Sequence, residues 1–409
     1  MVRDLEVLVE ILKNYINNKT CMTLKLKDVE WDNLIREANA HNCLPLITQA
    51  LIERQEDIPC EVWGKMTYDS AYLGALQFQK NNELKNVLNI FNENGIESCV
   101  FKGSVLASLY PHPLLRMSGD ADILIDVKDA SLAHELLLSR GYEVDVASSK
   151  ENVPVYILND FFVLELHTCL WEDYKGDNIE LLNQYKISSK DYQISFEIDG
   201  VKCNTLGYTQ HFIYQLYHMI KHFIPAGIGI RHFLDLTLYV NRYCNKIDFY
   251  KVREVLEKMG YYYFACSIFR ICINYLGMNE MILGNSTVAM SKVDYKVMED
   301  VLDAGVFGTK TLYRRKTTDV VKNAFYSGEG KKKSKFATYL NVIFPPPSQL
   351  SDRYVNAKKY KILLPVAWGQ RMVHHFICKM KNTNEPSVFE KTKKVEERMN
   401  MLKELKLLS

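Results

Sequence analysis

The stretch FKGSVLASLYPHPLLRMSGDADILID, Phe101 to Asp126, sets two aspartates, Asp120 and Asp122, at the head of an apolar run, Ile123-Leu124-Ile125. Side chains alternate along a strand, so Asp120, Asp122, Leu124 and Asp126 share one face and Ala121, Ile123 and Ile125 the other. Carboxylates at i and i+2 stand about 7 Å apart and point the same way. They are costly there unless something positive is held between them. A hard cation answers that need: magnesium takes a few carboxylates and fills its shell with waters or phosphate oxygens. Two such ions about 3.5–4 Å apart can grip the attacking and leaving oxygens of a phosphoryl displacement. Taken alone, the pair also reads as surface aspartates at a strand entry, since Asp is common at turns.

The neighbours narrow the choice. Lys102-Gly103-Ser104 falls between a β-like run, Glu97 to Phe101, and a short helical run, Val105 to Tyr110, stopped by Pro111 and Pro113. Glycine lets the backbone approach an anion closely, and a helix start offers free N–H groups. The P-loop pattern GxxxxGK[ST] is absent; Ser104 as a simple helix cap is the plainer alternative. In FFVLELH, Phe161, Val163, Glu165 and His167 share one strand face. A lone carboxylate there is a third metal ligand, a base for a hydroxyl, or half of an ion pair. Arg116 can reach phosphate oxygens bidentately, or pair with an acid.

The chain has 409 residues, a net charge of +2, 47% hydrophobic and 24% charged residues. That is an ordinary globular balance, long enough for two or three domains. It lacks the basic footprint of a protein devoted to long nucleic acids. Ten cysteines are scattered without a CxxC pair, the histidines lack zinc spacing with them, and no apolar run reaches the roughly 18 residues of a spanning helix. The start, MVRDLEVLVEILKN, reads as a helix rather than a leader. A cytoplasmic setting without a membrane span is expected. Helical periods dominate residues 1–95, where Leu5, Leu8, Val9, Leu12 and Ile16 share a face, Asp32 to Leu51 forms a second pattern and Tyr68 to Asn94 a third. Period-2 runs and turn pairs at Asn159-Asp160 and Asp199-Gly200 mark residues 96–206 as a core. Within it Ala121 to Val127 reads as a strand and Asp129 to Arg140 as a helix. Helical periods return over 207–343, and 344–409 is a helical tail. The expected fold class is α+β, a small mixed sheet between two helical regions.

Together these residues resemble the nucleotidyltransferases of the DNA polymerase β superfamily. Their pattern is a Gly-Ser pair opening a helix, Asp-x-Asp on the next strand and a third carboxylate on a later one. Here it is Gly103-Ser104, Asp120 and Asp122, then Glu165. The wider text, with EWDNLIREANAHNCLPLITQAL, QLYHMIKHF, GIRHFLDLTLYV and DAGVFG, resembles a largely uncharacterised bacterial nucleotidyltransferase family with a Lys-Gly motif. The resemblance implies a nucleoside triphosphate donor and a Mg²⁺ site, two ions by expectation, on Asp120, Asp122 and Glu165. It implies a triphosphate held by Gly103 and Ser104, beside which Lys102 and Arg116 supply positive charge. Two departures stand out: fifteen residues from Ser104 to Asp120 is a long gap, and the third carboxylate is Glu rather than Asp.

The expected activity is transfer of a nucleoside monophosphate to an acceptor, with a small molecule favoured over protein or tRNA. A non-catalytic nucleotide-binding scaffold and a toxin-like enzyme acting on a macromolecule are the alternatives. His218 and His222, at i and i+4, share a helix face without the glutamate of HExxH, and read as cleft lining rather than metal ligands. Arg231 and Asp235 read as a helix-start ion pair. Lys331, Lys332, Lys333 and Lys335 read as a solvated loop. Tyr261 to Phe264 reads as packing, and Val388, Val395, Met399 and Leu402 as a stripe docking the last helix.

Overall fold

The computed structural model describes residues 3–171, 177–187, 190–284, 286–305, 347, 350, 354–370 and 388–408. The lysine-rich loop at 331–335 and the boundary at 344–346 lie outside them. Helices α1 (Arg3–Ile16), α2 (Trp31–Ala40), α3 (Leu44–Ala50) and α4 (Cys60–Glu93) precede the sheet. The pattern at 32–51 predicts one helix; the chain makes two. Asn42 takes a left-handed φ of 54° between them, and Pro45 then opens the first turn of α3. Helix α4 starts eight residues before the predicted Tyr68.

Seven strands follow: β1 (Cys99–Phe101), β2 (Ala121–Leu124), β3 (Glu143–Val144), β4 (Val155–Leu158), β5 (Phe162–His167), β6 (Gln193–Ile198) and β7 (Val201–Leu206), with helices α5 (Gly103–Ala107), α6 (Ala130–Ser139) and α7 (Asp177–Gln184) between them. The sheet runs β3-β4-β5-β2-β1-β7-β6. It is mixed: β2 lies parallel to β5 and antiparallel to β1, and β1 lies parallel to β7. Both predicted hairpins form. Their corners hold positive φ at Asn159 and Asp160 and at Asp199 and Gly200, as type I′ turns require. Strand β2 is shorter than the predicted 121–127. Beyond the Ile125 N–H, which still bonds the His167 carbonyl, Asp126 accepts from the Lys128 N–H and bends the chain into a 3₁₀ turn.

The C-terminal half is helical: α8 (Tyr208–Phe223), α9 (Ile230–Tyr243), α10 (Phe249–Lys258), α11 (Tyr262–Leu276), α12 (Lys292–Ala304), α13 (Val355–Lys359) and α14 (Val388–Glu404). The protein is thus α+β. The two sheet faces bury different cores. Val100, Ala121, Ile123, Leu164 and Leu166 pack with α4 and α6 through Leu84, Leu88, Phe91, Ala133 and Leu137. Cys99, Phe101, Leu124 and Leu206 face a larger core in which α1–α3 and α8–α12 merge. The predicted stripe of α1 is buried there at Leu8, Leu12 and Ile16. None of the described helices is long and apolar enough to cross a membrane.

Candidate active site

Sheet register builds the centre of the site. Phe101 pairs with Asp122 across β1/β2, and Asp122 pairs with Glu165 across β2/β5. Two carboxylates therefore stand side by side on neighbouring strands, an arrangement that repels unless a cation intervenes. His167, two residues along β5 from Glu165, joins them on the same face. Its Nε2 is 3.1 Å from Asp122 Oδ1 and 3.4 Å from Glu165 Oε2. Asp122 and His167 are buried, and Glu165 opens partly to solvent. Ligand atoms of all three lie within 4.8 Å of one another, close enough to share one metal ion.

The chain supplies its own cation. Lys102 Nζ sits 2.6 Å from Asp122 Oδ1 and 3.9 Å from Glu165 Oε2. It also lies over the rings of Phe101 and Tyr214. An ammonium at the focus of two carboxylates shows that this donor set gathers positive charge, so the residues fit a divalent cation with oxygen preference. The electrostatics agree. Burial works to raise the Glu165 carboxyl, but the His167 hydrogen bond and the Lys102 charge hold it down at about 2. Burial opposes a proton on His167, yet its bonds to Asp122 and Glu165 raise its pKa above the usual value. Burial works against the Lys102 charge too, but Asp122, Tyr214, Glu165 and Asp120 together outweigh it and leave its pKa well above the usual lysine range.

Lys102 holds an uncommon backbone, φ 60° and ψ −123°. Only glycine adopts it freely. This twist turns β1 into α5 within one residue and aims the lysine back across the sheet. Gly103 follows, and the turn 116–120 packs directly on it. A Cβ there would meet Arg116 Nη1 at 3.3 Å, Ser118 Cβ at 3.4 Å and the Asp120 carbonyl at 3.7 Å. Ser104 is the second residue of α5 and does not cap it; the capping position belongs to Lys102. The turn is clamped from α4 as well. Gln77 Oε1 accepts from the Ser118 N–H at 2.8 Å, and Lys80 Nζ donates to the Ser118 carbonyl at 3.0 Å.

A cleft opens between this end of the sheet and helices α8 and α9. Lys102, Gly103, Ser118, Gly119 and Asp120 line one wall, and Tyr214, Gln215, His218, His222, Arg231 and His232 the other. Asp120 is exposed at the mouth. Its carboxyl is pushed upward by the protein packed round it and by the charge of Asp122. It stands outside the Asp122–Glu165–His167 cluster. Arg116 lines the cleft, with its Nε and Nη2 turned onto Asp235 at 3.1 and 2.7 Å. Tyr110 donates to the same carboxylate at 2.8 Å. Asp235 is therefore paired with Arg116, where the sequence spacing predicts Arg231. Arg231 instead donates from Nη1 to the Met117 carbonyl at 2.5 Å.

His167 is the residue that sequence reasoning passed over. Alternation along FFVLELH already sets it on the face of Glu165, and that is the signal that could have found it. Histidines 218 and 222 meet at their Nε2 atoms, 3.1 Å apart. Burial holds His218 well below the usual range, with His222 and Lys102 adding to the effect; burial and Arg231 bring His232 down to about 4.

Two solved structures overlap this chain loosely. The antibiotic-resistance factor ANT(2'')-Ia shares 10% identity at a TM-score of 0.34, over 45% of this chain and 94% of its own. An antigenic nucleotidyltransferase-like protein from Paracoccidioides brasiliensis shares 14% at 0.31, over 50% of this chain and 96% of its own. No curated protein matches. The uncharacterised nucleotidyltransferase family matches residues 27–277, more than half of the chain, and that span runs from just before α2 to the end of α11. It takes in the Lys102 turn, both acidic strands and both cleft helices, so the chain belongs to the family of uncharacterised nucleotidyltransferases.

Proposed function

We propose that this protein transfers a nucleoside monophosphate from a nucleoside triphosphate to an acceptor and releases pyrophosphate. The observation that carries the reading is the pair Asp122 and Glu165, in register on adjacent parallel strands with a cation already between them. In the transfer, an acceptor oxygen bonds to the α-phosphorus as the bond to the bridging oxygen of the β-phosphate breaks. The acceptor proton leaves to solvent or a base, and pyrophosphate carries away the bonding electrons.

Mg²⁺ held by Asp122 and Glu165, with Asp120 reaching in from the mouth, would neutralise charge on the α-phosphate and on the leaving group. Glu165 serves as a ligand in this scheme. A carboxyl held at about 2 is a poor proton acceptor near neutrality, because general bases work best with pKa close to the working pH. Gly103 and Ser104 offer backbone N–H groups to the phosphates at the start of α5. Lys102 exchanges Asp122 for a phosphate oxygen when the donor enters. Arg116 lends charge to the cleft from within its pair with Asp235.

The test is pyrophosphate release from each of the four common NTPs with Mg²⁺ and a panel of acceptors. Asp122→Asn keeps the shape of the side chain and should lower release by about 100-fold or more, the scale of losing preorganised charge stabilisation. Undiminished release in a folded D122N protein would overturn the reading. Tight NTP binding with no release across the whole panel would favour a binding module on the same fold.

A further inference from the structure

The helical wall of the cleft carries a charge that the protein itself answers only in part. Arg231 is buried, 7% exposed. Its Nη1 is spent on the Met117 carbonyl, and its Nε has no hydrogen-bond partner among the described residues. The nearest acid in sequence, Asp235, is fully engaged by Arg116 and Tyr110. Among the described residues Arg231 forms no ion pair, whereas the other two cations of the cleft do: Lys102 with Asp122, and Arg116 with Asp235. Asp235 is near enough to act on the Arg231 charge, but it is shared with Arg116, so two buried guanidinia answer to one carboxylate and the second calls for a further anion.

The surroundings match an anion rather than a second metal. His232 is the next residue on α9, and its ring lies 6.2 Å from that of His218, which in turn meets His222. Burial disfavours the charged forms of His218 and His232. Neutral imidazoles add N–H donors without adding a competing charge. Two of them could in principle grip a transition metal, but no described carboxylate, cysteine or third histidine brings a ligand atom close enough to complete such a site. Arg231, lining the same wall, would also repel a cation placed among these imidazoles.

We propose that Arg231, with His218, His222 and His232, forms an anion subsite on the helical wall that takes the phosphate of a phosphorylated small-molecule acceptor. The assignment to the acceptor rests on the transfer reading above, which places the donor triphosphate against the opposite wall at Gly103 and Ser104. The anion site itself rests on the orphaned guanidinium alone. A phosphate there would present a hydroxyl of the same molecule toward Asp120 and Asp122 across the cleft. The acceptor class is therefore a phosphate monoester that keeps a free hydroxyl or phosphate oxygen for attack.

Titration of the full-length protein with inorganic phosphate, free of metal and nucleotide, tests this by calorimetry. Arg231→Gln should weaken phosphate binding by about tenfold or more, the loss expected for one charge-assisted hydrogen bond. Arg231→Lys should recover part of it. Phosphate should remain bound when a nonhydrolysable NTP and Mg²⁺ are added. Unchanged phosphate binding in R231Q would overturn the proposal. So would expulsion of phosphate by the NTP analogue, which would give the subsite to the donor. Should R231Q fail to fold, histidine Cε1–H resonances of the wild-type protein decide: phosphate must move those of His218, His222 and His232, and still signals would end the idea. The phosphate titration can fail while D122N still abolishes transfer, and the D122N assay can fail while phosphate still binds, so the two readings are separable.

Discussion

Lys102 concentrates three demands in one residue. Its backbone bends strand into helix at a φ that disfavours side chains, its ammonium neutralises Asp122, and its position opens the cleft. Comparing two substitutions separates the first two demands. Lys102→Ala leaves Asp122 buried against His167 alone and keeps the strained backbone, at a cost of about 3–5 kcal/mol. Lys102→Gly loses the same ion pair but relaxes the turn, so it should be about 1 kcal/mol more stable than the alanine variant. Urea denaturation of both proteins measures the difference, and equal midpoints would show that the turn stores no strain. His167 sets the pH behaviour. Its folded pKa lies above the ordinary 6.5, so its contribution to metal-free stability is complete below about 6.5. That contribution is lost as pH rises through the raised value. Were His167 to join Asp122 and Glu165 on a metal through Nε2, binding would have to release this proton, so Mn²⁺ affinity should climb as pH rises toward the raised pKa and level off above it. A flat profile in metal titrations would remove His167 from the ligand set.

At the scale of elements, one buried acid ties α12 to α11. Asp294, at the first turn of α12, is fully buried. It accepts from Arg270 Nε and Nη2 at 2.7 and 2.9 Å, from Ser267 Oγ at 2.5 Å and from the Ser291 N–H at 2.7 Å. Burial works to raise its pKa, but these donors, Arg270 first, bring it below the usual carboxylate value. Asp294→Ala strands the guanidinium and should cost about 3–5 kcal/mol, visible as a lower melting temperature without loss of the site geometry. The same scale shows what the sequence could and could not say. Turn chemistry and alternation mark both hairpins and the acidic strands, because glycine, Asn-Asp and period-2 patterns act locally. The Arg116–Asp235 pair joins residues far apart in sequence, and only the packing of α9 over the 116–120 turn brings them together. Spacing alone favoured Arg231, the nearer cation, since i and i+4 neighbours are the pairs that sequence can count. His167 was legible on its strand face, but its partnership with Asp122 needed the β2/β5 register.

At the scale of the whole molecule, the last described helix closes the helical body. Arg398 on α14 reaches Asp300 at 3.0 Å and the Ile224 carbonyl at 3.0 Å, while Met401, Leu402 and Leu405 enter the large core. Removing residues 388–409 should expose that apolar surface, raise dye binding and lower the melting temperature; a truncated protein as stable as the full chain would assign α14 a peripheral role. The apolar stripe of α1 is covered partly by α2 and α3 and partly by α9 and α11, and α11 begins only at Tyr262. At ribosomal speeds of about 5–20 residues per second, the first helix emerges on the order of 10–50 s before its last partner exists. During that interval the part of the α1 stripe that α2 and α3 leave uncovered stays exposed on the nascent chain. A chain of this plan therefore asks for a chaperone at its start, long before it has a cleft to fill.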